Sequence, residues 1–377
     1  MRIGIEAQRI FRQKKHGMDY VVLQEILEIQ KIDNKNEYFI FVKPGPDRCV
    51  KDSRNVHIIE ISCPSYPLWE QWALPRAVEE CDVELLHCTS NTAPIFCSVP
   101  MILTLHDIIF LEPRDKNNKN VYQNLGWLYR RYVVPRILKK CKKIITVSDF
   151  ERINIIRKLQ LPSEQIVMIY NGYNEWFKPL EDKPEVYKKY IKEKGYFFFL
   201  GNTDPKKNSE RTIVAYAHYL EKSAIKRKLL LADLAPQYLN DILQRNHIEN
   251  IKKYIVSPGY IVNSDLPYIY NAAFGFLYTS LRESFGIPLL EAMACGTPVI
   301  TSNTSSMPEI AGSNGCFVNP EDSNDIASNM LKLENDTNYY DQLREFGLKR
   351  APYFSWKHTA EDLLALYEDI VNDDMEY

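Results

Sequence analysis

The chain has 377 residues, of which 45% are hydrophobic and 25% charged, and its formal net charge is -2 at pH 7. These values are typical of a water-soluble globular protein of about two domains, and they exclude a disordered chain or a fibrous repeat. No apolar run approaches the roughly 18 residues of a membrane span, and the first residues, MRIGIEAQRIF, lack a signal-peptide core, so we expect a cytoplasmic protein.

Charge is unevenly distributed along the chain. Residues 1–180 carry 26 Lys and Arg against 21 Asp and Glu, whereas the remainder carries 21 against 28. A basic N-terminal half suits a protein that faces an anionic surface. The eight cysteines form no C-x-x-C pair and are scattered over apolar and loop segments, so we expect free thiols rather than disulfides or a zinc site.

Short, continuous apolar runs recur along the chain, with helical or polar segments between them. In chain order they predict strands at 2–7, 38–43, 56–61, 84–88, 101–107, 143–148 and 165–170, and then at 196–201, 228–233, 255–259, 274–280, 298–303 and 315–319. Continuous apolar runs are typical of parallel strands that helices cover on both faces. Two rounds of strand–helix alternation predict an α/β protein with two doubly wound, Rossmann-like domains.

The polar stretch that begins at Asn171-Gly172 predicts the boundary between the two domains. We expect an N-terminal domain over residues 1–173 and a C-terminal domain over residues 174–356. The final segment, 357–377, contains a helical apolar stripe, and we expect it to pack back on the N-terminal domain.

One segment of the first half, NLGWLYRRYVVPRILKKCKK (124–143), contains seven basic residues and no acid, with aromatic residues between them. Two interpretations stay open. The segment is a solvated helix packed on the first sheet, or it is a basic amphipathic surface that associates peripherally with anionic lipid at the inner face of the cell membrane. The basic residues lack a nucleic-acid-reading motif, which argues against a nucleic-acid partner.

In the second half, LRESFGIPLLEAMACGTPVI (281–300) places Glu283 and Glu291 on either side of Gly286 and Pro288. Proline suits the first turn of a helix, so we expect Glu283 in a loop after a strand and Glu291 one turn inside the following helix. Gly286 and the N–H groups of the helix start can approach a phosphate, and the two acids can accept hydrogen bonds from sugar hydroxyls. This layout fits a nucleotide sugar, but the spacing alone also fits a solvated Glu283 and a Glu291 that complements the helix dipole.

Seven motifs occur in order along nearly the whole chain. They are LTLHD (103–107), ITVSDFERINII (145–156), VMIYNGYNEWFKP (167–179), LGNTDPKKN (200–208), PGYIVNSDLPYIYNAA (258–273), RESFGIPLLEAMACGTPVITS (282–302) and MPEIAG (307–312). With these motifs the chain resembles the family 4 (group 1) retaining glycosyltransferases, whose GT-B fold consists of two Rossmann-like domains facing across a cleft. It looks most similar to bacterial O-antigen and polysaccharide mannosyltransferases.

The resemblance implies a donor site in the C-terminal domain. Glu283 would contact the hydroxyls of the donor sugar, Glu291 would bind the ribose, and Lys207 would lie on the pyrophosphate, with Lys206 in support. The other donor-binding positions would be backbone groups at Ser284, Phe285, Gly286 and Ile287 for the sugar and pyrophosphate, and Gly259, Tyr260 and Ile261 near the base.

His106 lies at the end of the predicted strand 101–107, and taken alone it is interpreted first as a satisfied histidine at a strand end. The resemblance implies that it reaches the 6-position of the donor sugar, which makes His106 and Glu283 the expected catalytic residues. Two positions depart from the family pattern. The first loop (12–20) has only Gly17 where the family often has two or three glycines near the phosphates, and Asn202 stands where an arginine often contacts the pyrophosphate.

The chain contains no D-x-D sequence, so we expect no metal-bridged pyrophosphate and no cofactor besides the donor substrate. The resemblance implies retention of configuration by front-face attack, in which the donor phosphate helps to take the acceptor proton. The predicted activity is transfer of a hexose, with mannose favoured, from a GDP- or UDP-sugar to a growing polysaccharide, a lipopolysaccharide or a lipid-linked glycan. Two alternatives remain: a sugar-nucleotide epimerase of the same fold and a non-catalytic sugar-nucleotide-binding protein.

Overall fold

The computed structural model describes residues 1–111 and 121–375. Its strands are β1 (Arg2–Glu6), β2 (Glu37–Val42), β3 (Val56–Glu60), β4 (Leu85–Cys88), β5 (Met101–Thr104), β6 (Cys141–Thr146), β7 (Ile166–Met168), β8 (Tyr196–Leu200), β9 (Leu229–Ala232), β10 (Ile255–Gly259), β11 (Ala273–Tyr278), β12 (Val299–Ser302) and β13 (Cys316–Val318). Its helices are α1 (Gly17–Ile32), α2 (Tyr66–Leu68), α3 (Leu74–Glu80), α4 (Val121–Ile137), α5 (Asp149–Leu159), α6 (Pro184–Tyr187), α7 (Ser209–Lys222), α8 (Pro236–Arg245), α9 (Leu266–Ala272), α10 (Ile287–Ala294), α11 (Met307–Ala311), α12 (Ser323–Asn335), α13 (Thr337–Arg350) and α14 (Trp356–Met375).

The strands form two separate sheets in which every neighbouring pair is parallel. The first sheet has the order β3-β2-β1-β4-β5-β6-β7, and the second has the order β10-β9-β8-β11-β12-β13. In both sheets the chain starts in the middle, winds outward in one direction and then reverses. Doubly wound sheets of this kind bind ligands at the carboxyl ends of the strands where the order reverses. These points lie between β1 and β4 and between β8 and β11.

All thirteen predicted strands are present, and their boundaries mostly differ from the prediction by one or two residues. The largest change concerns the basic segment 124–143. Helix α4 ends at Ile137 and β6 starts at Cys141, so the segment is a helix, a turn and the start of a strand rather than one helix. The lysines concealed the start of β6 because Lys142 is exposed whereas Cys141 before it is buried.

The chain divides into two compact units, of which the first comprises residues 1–172 together with α14. One face of its sheet is covered by α1 and α14, whose buried side chains, such as Ile26 and Leu363, belong to a single apolar cluster. The hydroxyl of Tyr367 on α14 lies 2.7 Å from Nδ1 of the buried His87 on β4. The C-terminal helix is therefore part of this core; the last two residues of the predicted segment 357–377 lie outside the described residues.

The second unit comprises Tyr173–Ser355. Its central strands are dense in aromatic residues: the rings of Phe198 and Phe276, on neighbouring strands, lie 5.4 Å apart, and Tyr270 on α9 packs edge-on against both. Burying one such side chain contributes roughly 1.5–3 kcal/mol, and paired rings add to this, so the sheet centre is a rigid base for the loops above it.

Candidate active site

Two loops meet where the strand order of the second sheet reverses. One follows β8 and carries Lys206 and Lys207, and the other follows β11 and carries Glu283. They are joined by hydrogen bonds, since the Leu281 amide donates to the Lys206 carbonyl (2.7 Å) and the Asn208 side chain donates to the Thr279 carbonyl (2.9 Å). The loops therefore hold their charged side chains in a fixed mutual arrangement.

Lys207 and Glu283 are directly paired at this point. The Nζ atom of Lys207 lies 2.6 Å from Oε1 of Glu283, and both side chains are largely shielded from solvent, with 27% and 13% of their surface exposed. Lys206 instead lies 3.5 Å from Asp204 and is more exposed. Of the two predicted cations, Lys207 is therefore the one that the structure brings to the glutamate.

Gly286 connects the Glu283 loop to α10. Its φ of +111° lies in the region that favours glycine, and a side chain there would meet the ring of Tyr278 at 3.3 Å. The helix begins at Ile287 with Pro288 in its first turn, as predicted. A helix leaves its first N–H groups without intrahelical acceptors, and this end of the dipole favours anions.

Serine hydroxyls from a neighbouring loop fix the backbone of the Glu283 loop. The Glu283 amide donates to Oγ of Ser305 (3.1 Å), and Oγ of Ser306 lies 2.9 Å from the Glu283 carbonyl and 3.0 Å from the Phe285 carbonyl. Sequence reasoning missed this support. Its signal was the run TSNTSS (301–306), which begins in the predicted strand 298–303 and continues beyond its end.

Two buried tyrosines, Tyr270 and Tyr278, lie close to the charged residues of these loops. The Tyr270 hydroxyl lies 3.4 Å from Oε2 of Glu291, and the Nζ atom of Lys207 lies 5.9 Å from the centroid of the Tyr278 ring. Burial raises the pKa of both phenols, so both remain donors over the physiological range. Burial also raises the pKa of Glu291, to about 8, and the Tyr270 hydrogen bond opposes that shift only in part.

The residues predicted to lie near the base follow β10 at the edge of the same sheet. The Gly259 carbonyl accepts a hydrogen bond from the Asp233 amide (3.0 Å), and Gly259 has a φ of +83° with open space where a side chain would be. Tyr260 exposes 65% of its surface, whereas Ile261 is buried. The turn thus presents an aromatic ring and accessible backbone, which are groups that suit a planar base.

His106 belongs to the first unit and lies just beyond β5. Its ring is buried, with Nε2 3.0 Å from the Thr89 carbonyl, and its amide donates to Oδ1 of Asn91 (2.6 Å). Because a carbonyl only accepts, Nε2 carries the proton and Nδ1 is an acceptor. Burial lowers the pKa of His106, which keeps the ring neutral. Gly17, the first residue of α1, is exposed and has open space around its Cα.

The same unit carries an exposed apolar stripe on α4. Leu125, Leu128 and Tyr132 expose 62%, 55% and 57% of their surfaces, and their spacing places them on one helix face. The guanidinium groups of Arg131 and Arg136 stack on the rings of Trp127 and Tyr132, 4.6 Å and 3.7 Å from the ring centroids. Across residues 1–111 and 121–375, no helix is long and apolar enough to cross a membrane.

Comparisons with known proteins match both halves of the chain. Residues 182–350 match the family model "Glycosyl transferases group 1", and residues 34–176 match "Glycosyltransferase Family 4". The O-antigen chain mannosyltransferase B of Escherichia coli is 30% identical over 273 residues, which cover 71% of this chain and 70% of that protein. Sucrose-phosphate synthase from Thermosynechococcus elongatus has a similar structure over 99% of both chains (TM-score 0.73, 20% identity). So does Anabaena Alr3699/HepE in complex with UDP, over 98% of this chain and 100% of that one (TM-score 0.73, 17% identity).

Proposed function

Because the chain belongs to the group 1, family 4 glycosyltransferases, we propose that it moves a mannose-type hexose from a nucleoside-diphosphate sugar to a growing polysaccharide or lipid-linked glycan. Membership of the family and the GT-B fold of two Rossmann-like sheets agree with the sequence-based predictions. The observation that most supports the proposal is the pairing of Lys207 with Glu283 at the switch point of the second sheet. A cation beside a carboxylate at this point supports the binding of a ligand that has both a diphosphate and sugar hydroxyls.

In the proposed complex, the pyrophosphate lies against Lys207 and the N-terminus of α10, where Gly286 allows close approach. Glu283 accepts hydrogen bonds from the donor sugar, and Glu291 accepts them from the ribose. The base lies at the turn of Gly259, Tyr260 and Ile261. Lys206 lies beside Asp204 and is partly exposed, so in this arrangement it adds positive charge at the rim of the site.

The chemistry that these groups support is departure of the nucleoside diphosphate. As the bond from the anomeric carbon to the phosphate oxygen breaks, negative charge grows on the diphosphate, and Lys207 with the amides of the α10 start stabilises it. The acceptor hydroxyl attacks from the same face and its proton passes to a phosphate oxygen, so configuration is retained and no side chain is required as a base. His106, with Nδ1 as an acceptor, is proposed to orient the sugar through its 6-hydroxyl.

The α4 stripe supports a further part of the proposal, peripheral association with an anionic membrane surface that carries a lipid-linked acceptor. Leu125, Leu128 and Tyr132 form an apolar face beside Arg131 and Arg136. Interfacial helices combine an apolar face with flanking cations in this way, and each cation near an anionic surface contributes about 1 kcal/mol. The α4 stripe is therefore proposed as the lipid-facing surface.

The first experiment is a thermal-shift panel with GDP, UDP, ADP and their common sugar conjugates, without added metal. A ligand at 100 times its Kd stabilises a protein by about 2.7 kcal/mol, which gives a readable shift. A shift with one nucleotide class identifies the donor base, and the matching nucleotide sugar is then incubated with glycan acceptors. The absence of any shift would contradict the proposed donor site. Conversion of the donor to another sugar nucleotide without an acceptor would indicate an epimerase instead, and binding without turnover a non-catalytic protein.

A further inference from the structure

A short loop after β4, residues 89–92, carries two hydrogen-bond partners of His106. The His106 amide donates to Oδ1 of Asn91 (2.6 Å), and Nε2 of its ring lies 3.0 Å from the Thr89 carbonyl. Thr89, Asn91 and His106 are all buried, with at most 7% of their surface exposed. One bond fixes the backbone of His106 and the other fixes its ring, so the acceptor atom Nδ1 has a set direction.

This loop is tied to the strands on both sides of β4, since the order in the first sheet is β1-β4-β5. Oγ1 of Thr89 donates to the carbonyl of Glu6, the last residue of β1 (2.6 Å). The Asn91 amide donates to the carbonyl of Thr104, the last residue of β5 (3.2 Å). The partners of His106 cannot move without breaking hydrogen bonds to the sheet, so the loop is a fixed base for the histidine.

Asn91 has a left-handed backbone, with a φ of +65°. Asparagine, aspartate and glycine adopt this conformation more readily than other residues. Glycine would therefore satisfy the turn, but it lacks the side-chain oxygen that accepts the hydrogen bond from the His106 amide. The backbone explains a turn residue at this position, and the contact with His106 explains why an asparagine serves there.

On the basis of the proposed function, we infer that Asn91 is a positioning residue that holds His106 for the 6-hydroxyl of the donor sugar and thereby sets a preference for hexose over 6-deoxyhexose donors. Nε2 carries the proton that is donated to the Thr89 carbonyl, so Nδ1 can accept a hydrogen bond from a hydroxyl. A 6-deoxy sugar has a methyl group at this position and cannot donate one. A site that hydrogen-bonds a hydroxyl rejects the analogue that lacks it, provided that the acceptor is held in place.

The test compares donor preference in the wild-type protein, Asn91→Gly and Asn91→Asp. The probes are GDP-mannose and GDP-6-deoxymannose, or the UDP sugars if UDP is the nucleotide that raises the thermal midpoint, and release of the nucleoside diphosphate gives kcat/KM for each. We expect the wild-type protein to prefer the hexose by about tenfold or more, and Asn91→Gly, which suits the φ but lacks the acceptor, to prefer it by less than about twofold. Asn91→Asp keeps the acceptor and should retain most of the preference when assayed at pH 8, where the added carboxylate does not protonate His106.

Asn36→Ala is the matched control. Asn36 is also buried in the first unit, and its side-chain amide donates to Oδ2 of Asp33 (2.6 Å). It precedes β2 and so lies at the amino ends of the strands, whereas Asn91 lies at the carboxyl ends. This variant should lower the thermal midpoint and leave the donor preference unchanged. A preference that survives in Asn91→Gly, or that Asn36→Ala loses equally, would overturn the inference, as would a wild-type protein that uses both donors equally well.

Two further measurements separate positioning from folding. A long-range ¹H–¹⁵N correlation spectrum of the wild-type protein, with His106→Gln to assign the signal, reports the ring tautomer without substrate. A single Nε2–H tautomer is expected, and an average of both tautomers would overturn the inference even if Asn91→Gly did not fold. In a His106→Ala background, Asn91→Gly should not change the preference further, and an additional fall would show that it does not act through His106. A wild-type protein that binds no nucleotide would instead refute the proposed function on which the inference rests.

Discussion

Lys207 and Glu283 are 76 positions apart in the chain, yet their charged groups lie 2.6 Å from each other at the reversal point of the second sheet. In the free protein each is the counter-ion of the other, so neither charge is left alone in a site that is largely shielded from solvent. In the proposed complex the diphosphate and the sugar of the donor give Lys207 and Glu283 new partners at once, so we expect the pair to receive both groups of the donor.

Replacing Lys207 with alanine should weaken binding of the nucleoside diphosphate by about 1.5–3 kcal/mol, the range for hydrogen bonds to charged groups. The loss also leaves Glu283 as an uncompensated negative charge near the phosphates. Titration calorimetry measures the effect directly. Lys206→Ala is the control: this lysine is more exposed and faces Asp204, so a smaller loss is expected. Equal losses in both variants would contradict the assignment of Lys207 to the pyrophosphate.

The sequence was sufficient to predict the architecture. Strands in the interior of a parallel sheet are covered on both faces, so each corresponds to a continuous run of apolar residues in the sequence. It also placed Glu283 and Glu291 on different elements, since Pro288 can start a helix and Gly286 can precede one. The start of β6 was missed because this strand begins among lysines, with Lys142 exposed, and so does not show the same pattern.

Contacts between distant parts of the chain were beyond the reach of sequence reasoning. The orientation of Lys207 toward Glu283, rather than that of Lys206, depends on how a short turn after β8 is tied to the loop after β11. The contact of Tyr270 with Glu291 was hidden for a different reason. Tyr270 lies in an apolar run, where an aromatic residue predicts core packing and its hydroxyl gives no sign of its partner.

Donor affinity should depend on pH through Glu291. Burial raises its pKa to about 8 in the free protein, so the carboxyl is mostly protonated at pH 7. Ribose hydroxyls that donate to it favour the carboxylate, so affinity should rise by up to about tenfold per pH unit below pH 8 and level off above it. Calorimetry with a nucleotide sugar, whose phosphodiesters do not titrate in this range, measures the slope. Glu291→Gln should remove it, and a wild-type affinity that is constant from pH 6 to 9 would refute this role.

Gly286→Ala should impair both the loop and the site. A φ of +111° is strained for any residue with a side chain, and such strain costs of order 1–3 kcal/mol. The added methyl would also press on Tyr278 at 3.3 Å. We expect a lower thermal midpoint and weaker donor binding. Gly126→Ala on α4, where an added methyl meets nothing within 4 Å, is the control and should not be destabilised. Equal midpoints for Gly286→Ala and the wild-type protein would show that the loop relaxes freely.

Stability should fall with rising pH because of Glu25 on α1. This residue is buried, and burial raises its pKa from 4.5 to about 7. A carboxyl whose pKa is higher in the folded state is destabilised by ionisation, so stability is lost as pH rises from about 4.5 to 7, by on the order of 3 kcal/mol in total. Glu25→Gln should raise the thermal midpoint at pH 8 more than at pH 5. Glu28→Gln, one turn along the helix and paired with Lys31, should not.

Replacement of the apolar stripe on α4 tests the proposed membrane surface. Leu125 and Leu128 each expose more than half of their surface, so moving both into the lipid interface should contribute about 1 kcal/mol each. Wild-type protein should float with vesicles that contain phosphatidylglycerol and less with phosphatidylcholine alone, and high salt should weaken binding because Arg131 and Arg136 contribute through charge. The Leu125→Ser, Leu128→Ser double variant should bind about thirtyfold more weakly, since about 2 kcal/mol in total is lost.

A control must show that vesicle binding depends on these two leucines and not on the total exposed apolar area of the protein. Ile225 and Tyr353 are as exposed as the two leucines, at 58% and 71%, but belong to the second unit. The Ile225→Ser, Tyr353→Ser double variant should float like the wild-type protein. If it loses as much binding as the α4 variant, or if the wild-type protein does not float with anionic vesicles at low salt, α4 is not the lipid-facing surface.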